Sequence, residues 1–154
     1  MMKKIWLIGV LVLMVISGCS KQKEKQLDIA KVSEDIEKNY QDTIMVEMTD
    51  SDFFEKFELD PSQVKQHFYQ FAFLDVRADE LVMIQVADNS LVESIKTILT
   101  TRMEELRAEF DQYIPEQKEI VDRSIIFSDG SYVFLIVSPQ ATQIQDYIIS
   151  KFHE

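Results

Sequence analysis

The sequence predicts an α+β fold: an antiparallel sheet built from two ββα units with helices packed on it, preceded by an amphipathic N-terminal helix. Three observations carry this. From His67 onward the apolar periodicity runs strand, strand, helix, strand, strand, helix; all three prolines stand where helices open; and Gly130, the one glycine after residue 18, follows Asp129 between two strand-like runs. Periodicity, helix starts and turn chemistry agree with one another, as they do in a sequence whose local choices support its global fold.

The elements follow in chain order. In residues 27–41, Ile29, Val32, Ile36 and Tyr40 recur at steps of three and four with Lys31, Glu34, Asp35, Glu37 and Lys38 between them, which predicts an amphipathic helix of about four turns. Residues 44–48 alternate weakly as a short strand. The acidic and aromatic run 50–58 reads as helical, and Asp60-Pro61-Ser62-Gln63 joins an N-cap acid, a first-turn proline and a capping-box glutamine. Residues 67–75 and 80–86 are aromatic and β-branched and predict two strands around a polar turn at 76–79.

Ser90-Leu91-Val92-Glu93 reads as a capping box, opening a helix with Leu91, Ile95, Ile98, Leu99, Leu106, Phe110 and Tyr113 on one stripe and running until Pro115. Residues 123–127 and 131–137 flank Ser128-Asp129-Gly130, where Asp-Gly gives the positive φ angles a tight hairpin turn needs. Ser138-Pro139 caps the last helix, with Ile144, Tyr147, Ile148 and Phe152 on its apolar side.

Four strands in one sheet with the two long helices on one face is the economical arrangement. Both sides of the last strand are apolar, with Val133, Leu135 and Val137 on one and Tyr132, Phe134 and Ile136 on the other. The second face therefore needs a cover as well. The N-terminal helix with residues 50–65 can supply it; the alternative is a protein partner or self-association through the apolar sheet face. Tyr69, Phe71 and Phe73 share one face of their strand, and Tyr132 and Phe134 one face of theirs. They are either core or a candidate binding surface for a hydrophobic or peptide ligand.

Composition bounds the chemistry. The chain of 154 residues carries a net charge of -11, and without the first 18 residues, which hold Lys3 and Lys4 and no acid, that becomes -13. So acidic a body disfavours nucleic acid, whose binding depends on clustered Lys and Arg. One glycine in the body excludes a dinucleotide fingerprint or a phosphate-binding loop.

The first 18 residues read as a signal peptide. Lys3 and Lys4 precede the apolar run 5–16, which as a helix would span only about 18 Å against the roughly 30 Å of a bilayer core. Ile16-Ser17-Gly18-Cys19 resembles the lipobox of bacterial lipoproteins. The resemblance implies diacylglyceryl transfer to Cys19 and cleavage between Gly18 and Cys19, with the membrane as partner through that lipid. Residues 19–26 then form the lipidated cysteine and a polar tether reaching about 25 Å, and residues 27–154 a single domain on the extracytoplasmic side of the cell membrane. Cys19 is the only cysteine, so no disulfide can form within the chain.

Ala78-Asp79-Glu80-Leu81 before a strand, the long charged helix ending in Phe110, Tyr113 and Pro115, and Gly130-Ser131-Tyr132-Val133 leading into Ser138 resemble the Gram-positive lipoprotein family catalogued as domain of unknown function 4358. The likeness covers roughly residues 29–152, departs at the acid-rich stretch 50–60, and implies no catalytic or binding residue.

Catalytic constellations are scarce. His67 opens a strand and His153 is penultimate, and neither HExxH nor GxSxG occurs. Asp50-Ser51-Asp52 lacks the glycine and terminal glutamate of an EF-hand loop, so no metal and no cofactor are expected. The leading expectation is a non-catalytic binding or assembly module. The alternative is a cell-wall glycan hydrolase using paired carboxylates, drawn from Asp75, Asp79 and Glu80.

Overall fold

The computed structural model describes residues 26–111 and 114–153. The expected signal peptide with Gly18, Cys19 and the expected tether up to residue 25 lie outside the described residues, as does Tyr113. Five strands, β1 (Met45–Glu47), β2 (Val64–Ala72), β3 (Glu80–Val86), β4 (Ile125–Asp129) and β5 (Tyr132–Val137), form one antiparallel sheet in the order β1-β2-β3-β5-β4. The two expected hairpins, β2–β3 and β4–β5, pair through their second strands. The weakly alternating segment at 44–48 joins as a fifth, edge strand.

Five helices cover the sheet: α1 (Ile29–Tyr40), α2 (Asp50–Lys56), α3 (Val92–Phe110), α4 (Pro115–Asp122) and α5 (Ala141–His153). On one face Phe53 and Phe57 from the α2 region, Ile95, Leu99, Leu106 and Phe110 of α3 and Val121 of α4 pack on Val82, Ile84, Val133 and Leu135. On the other, Ile29, Val32 and Ile36 of α1 and Ile144 and Ile148 of α5 pack on Leu81, Met83, Tyr132, Phe134 and Ile136. The two long helices α3 and α5 thus lie on opposite faces, not together as expected. Twelve residues of α1 span only about 18 Å, too little to close one face of a five-stranded sheet alone. Placing α5 beside α1 completes both layers.

Local chemistry refines the boundaries. The expected capping box at Ser90 is not used; Asp88 accepts from the Ser90 N–H at 2.8 Å and caps a single 3-10 turn (Asn89–Leu91) before α3 starts. Asp60 does the same for the turn Pro61–Gln63, accepting from the Ser62 N–H at 2.8 Å. Helix α3 ends at Phe110, short of Pro115, and Ile114, the residue before the proline, is held out of helical geometry with φ -139° and ψ 87°. Pro115 opens α4, which is tied back by Arg107 to Asp122 at 2.7 Å. The β4–β5 turn centres on Gly130 and Ser131, since Asp129 still pairs with Tyr132; with φ 54° at Gly130 and no positive φ at Ser131 the pattern is that of a II′ turn.

Helix α1 is an integral layer and not a stalk. The Tyr132 hydroxyl accepts from the Leu27 N–H at 2.9 Å, the Tyr147 hydroxyl donates to Asp35 Oδ2 at 2.6 Å, and Gln140 Nε2 donates to the Tyr40 carbonyl at 2.9 Å. No helix of the described residues is long and apolar enough to cross a membrane.

Candidate functional site

The aromatic residues singled out from the sequence are not brought together. Tyr69 is core in the α2/α3 layer with Phe71 packed against it, whereas Tyr132 and Phe134 are core in the α1/α5 layer on the opposite face. Phe73 lies beyond the end of β2 and is 62% exposed. No single groove can hold all five, because the two strands present these positions to different faces.

The exposed residue of that set marks a different feature. The large apolar side chains that the described residues leave exposed, Ile44, Phe73, Leu74 and Val76, gather at the β2–β3 turn and the chain beside it. Phe73 N–H donates to the Ile44 carbonyl at 2.8 Å, so the two backbones continue the β1–β2 ladder outward. The last residues of the expected strand and Val76, the first of the expected polar turn 76–79, make this apolar tip, while Ala78 and Asp79 are buried.

The tip is held from below. Arg77 Nε binds Asp79 Oδ2 at 2.9 Å while its Nη2 binds Asp42 Oδ1 at 2.8 Å, and Ala78 N–H donates to Gln117 Oε1 at 2.8 Å. The hydrogen bond to Asp79 holds the Arg77 guanidinium above its ordinary value. A turn fixed by two carboxylates and a helix side chain presents its apolar residues without an ordering cost at the moment of contact.

Glu80, one residue on, is 4% exposed and takes Arg102 of α3 in a two-point fork: Nη2 donates to Oε1, and Nε donates to Oε2 at 3.1 Å. Burial works against the Arg102 charge, but the hydrogen bonds to Glu80 and its negative charge outweigh that and raise the pKa. Burial, reinforced by the Glu80 charge, pushes the Tyr69 phenol up and keeps it protonated. Consecutive residues of an extended chain point to opposite sides. Asp79 and Glu80 are accordingly held by different arginines, not set face to face as a carboxylate pair, and Asp75 is exposed in the turn. His67 stacks on Phe53 with ring centroids 4.1 Å apart, its Nε2 3.2 Å from Asp50 Oδ1. Among the described residues no three His, Cys, Asp or Glu side chains converge as a metal site would require.

The tip stands at the far end of the sheet from where the described chain begins. Leu27 is bonded to Tyr132, which pairs with Gln85 near the end of β3, whereas the tip precedes Glu80 at its start. Five strand residues separate the two, about 17 Å.

The family described as Domain of unknown function (DUF4358) matches residues 38–138, which spans all five strands and α2 to α4 but excludes α5 and nearly all of α1. No curated protein matches the chain, and no solved structure does.

Proposed function

We propose that this chain, which belongs to the family described as Domain of unknown function (DUF4358), is a lipid-anchored extracytoplasmic binding module of a Gram-positive cell, tethered through Cys19 and presenting the apolar β2–β3 tip to a protein partner. The observation that supports it is the grouping of Ile44, Phe73, Leu74 and Val76, all exposed, on a turn fixed by Arg77. Soluble monomers seldom leave contiguous apolar surface uncovered unless something binds there. The lipobox-like Ile16-Ser17-Gly18-Cys19 supports the tether.

Two measurements test this reading. Mass spectrometry of the mature N-terminus is expected to find a diacylglyceryl group on Cys19, and Cys19→Ala to leave an uncleaved, unlipidated precursor. A photo-crosslinking residue at Leu74 is expected to capture a discrete partner in intact cells, and one at Glu119 on α4 none. An unlipidated Cys19, or equal labelling from both positions, would count against it. Release of glycan fragments from cell wall, abolished by Glu80→Gln, would put the hydrolase in its place.

A further inference from the structure

β1 is an edge strand whose outer side has no strand partner among the described residues. Its backbone parity follows from the ladder: Met48 N–H donates to Tyr69 and the Ile44 carbonyl accepts from Phe73, so positions 44, 46 and 48 face β2. The N–H and carbonyl groups of Met45 and Glu47 therefore point outward, as in any antiparallel pair that alternates bonded and non-bonded positions. They form a template for a further strand.

The two faces of this edge differ. Towards α1 lies a groove of about 330 Å³, floored by Met45, Phe68 and Gln70 and walled by Glu34, Glu37 and Glu47. Among the described residues no Lys or Arg pairs with these three glutamates. Gln70 is 3% exposed and its Nε2 is a buried donor with no partner, a costly state unless a ligand supplies the acceptor. The opposite face is an apolar ledge of Val46 and Phe71, half-buried, continued by exposed Ile44 and Phe73 at the tip.

From this juxtaposition we infer that β1 takes an extended segment of a partner polypeptide as a sixth strand, one in which basic and apolar side chains alternate. Its basic residues enter the acidic groove beneath α1, its apolar residues cover the ledge, and a polar group in the groove accepts from Gln70 Nε2. The inference rests on reading the chain as a binding module and names the chemistry of its partner. A second copy of the chain fits less well: two-fold pairing of β1 with β1 would crowd six glutamates into one seam between bodies that each carry a net charge of -15 from Leu27 onward.

The test uses the full isotope-labelled chain in detergent micelles and a capped six-residue peptide alternating valine and lysine. Binding is expected to shift the amide signals of Met45 and Glu47 and the side-chain NH₂ of Gln70. A peptide with glutamate for lysine is expected not to bind, and N-methylation of alternate peptide amides, which leaves charge intact, to weaken binding at least about tenfold. Glu34→Gln with Glu37→Gln is expected to weaken it about tenfold at low salt. Because the N-methyl arm alters only the peptide, it remains decisive if the double variant fails to fold. Equal binding of the N-methylated peptide, or full competition by spermine, would reduce the site to a cation trap and overturn the inference. A dimer whose interface maps to Met45 and Glu47 would overturn it in favour of self-association. Crosslinking at Leu74 with no peptide shift at β1 would sink this inference alone and leave the binding-module reading standing.

Discussion

Glu58 sits in the left-handed region, with φ 50°, just after α2. The surrounding hydrogen bonds explain why: Leu59 N–H reaches the Phe54 carbonyl at 3.1 Å and Glu58 N–H the Glu55 carbonyl at 3.2 Å, the two bonds of a Schellman ending. That position favours glycine, because a Cβ there costs roughly 1–2 kcal/mol. Glu58→Gly is therefore expected to stabilise the protein by about 0.5–1 kcal/mol once the extra chain entropy of glycine is deducted. Chemical denaturation checks this, and an unchanged or lower midpoint would mean that the Glu58 side chain compensates its backbone. A second residue shows where reading a sequence stops. Glu80 stands out in it as an acid at the mouth of a strand, but the arginine that neutralises it lies 22 residues away on α3. Only the assembled sheet says which helix turn meets that strand end. Gln70 carried no signal at all, since an orphaned amide is a property of its surroundings and not of its residue type.

At the scale of elements, strands and helices were largely legible because prolines, the lone body glycine and the apolar periods agree. Two things were not. An apolar stripe tells that a helix is buried but not against which sheet face, so the division of α3 and α5 between faces was hidden. Phe73 and Leu74 look like the end of a buried strand and Val76 like part of a polar turn, and nothing local reveals that β2 ends at Ala72. The caps were only partly legible: Asp60 was, but Asp88 in place of Ser90 was not. Both carboxyls are held below their ordinary value of 3.8, Asp60 chiefly by the Ser62 backbone N–H and Asp88 by hydrogen bonds to Ser90. A carboxyl depressed in the folded state binds its proton more readily when the chain unfolds. Its contribution to stability is thus present above the unfolded value and lost as pH falls through the folded one. Asp60→Asn with Asp88→Asn keeps the accepting oxygens but removes the titration, so the fall in melting temperature below about pH 4 should be shallower than in the wild type. An identical acid limb would assign the effect to other carboxyls, such as Asp122, which Arg107 and Lys118 hold down.

The same scale bears on what the family shares. Residues 38–138 contain the sheet and one helical layer, while α1 and α5, which build the other, fall almost wholly outside the match. A fragment cut to those bounds would expose Leu81, Met83, Tyr132, Phe134 and Ile136, each worth about 1.5–3 kcal/mol when buried. Their sum rivals the whole stability of a domain this size. The 38–138 fragment should therefore aggregate or bind a hydrophobic dye, whereas residues 26–154 should be monomeric and dye-silent. A cooperative, monomeric fragment would show that the α1/α5 layer is dispensable.

For the molecule as a whole, the proposed anchor and the fold together define an orientation. Residue 27 is fastened to Tyr132 at one end of the sheet and the apolar tip stands at the other, so a tether of about 25 Å brings the β4–β5 turn towards the bilayer and directs the tip away from it. Charge acts in the same sense. Lys21, Lys23 and Lys25 favour anionic headgroups, and the body from Leu27 onward, at -15, is repelled by them. If the Cys19 thiol carries the proposed lipid, a single added cysteine can be labelled uniquely. Asp129→Cys and Asp75→Cys place a dye at the two ends, each on an exposed acid. In vesicles carrying a headgroup quencher, the dye at 129 should be strongly quenched and the dye at 75 weakly, with the contrast shrinking as salt screens the repulsion over about 10 Å at 0.1 M. The reverse order would mean that Leu74 and Val76 enter the bilayer. The apolar tip would then be a second membrane contact and not a surface held out for a protein.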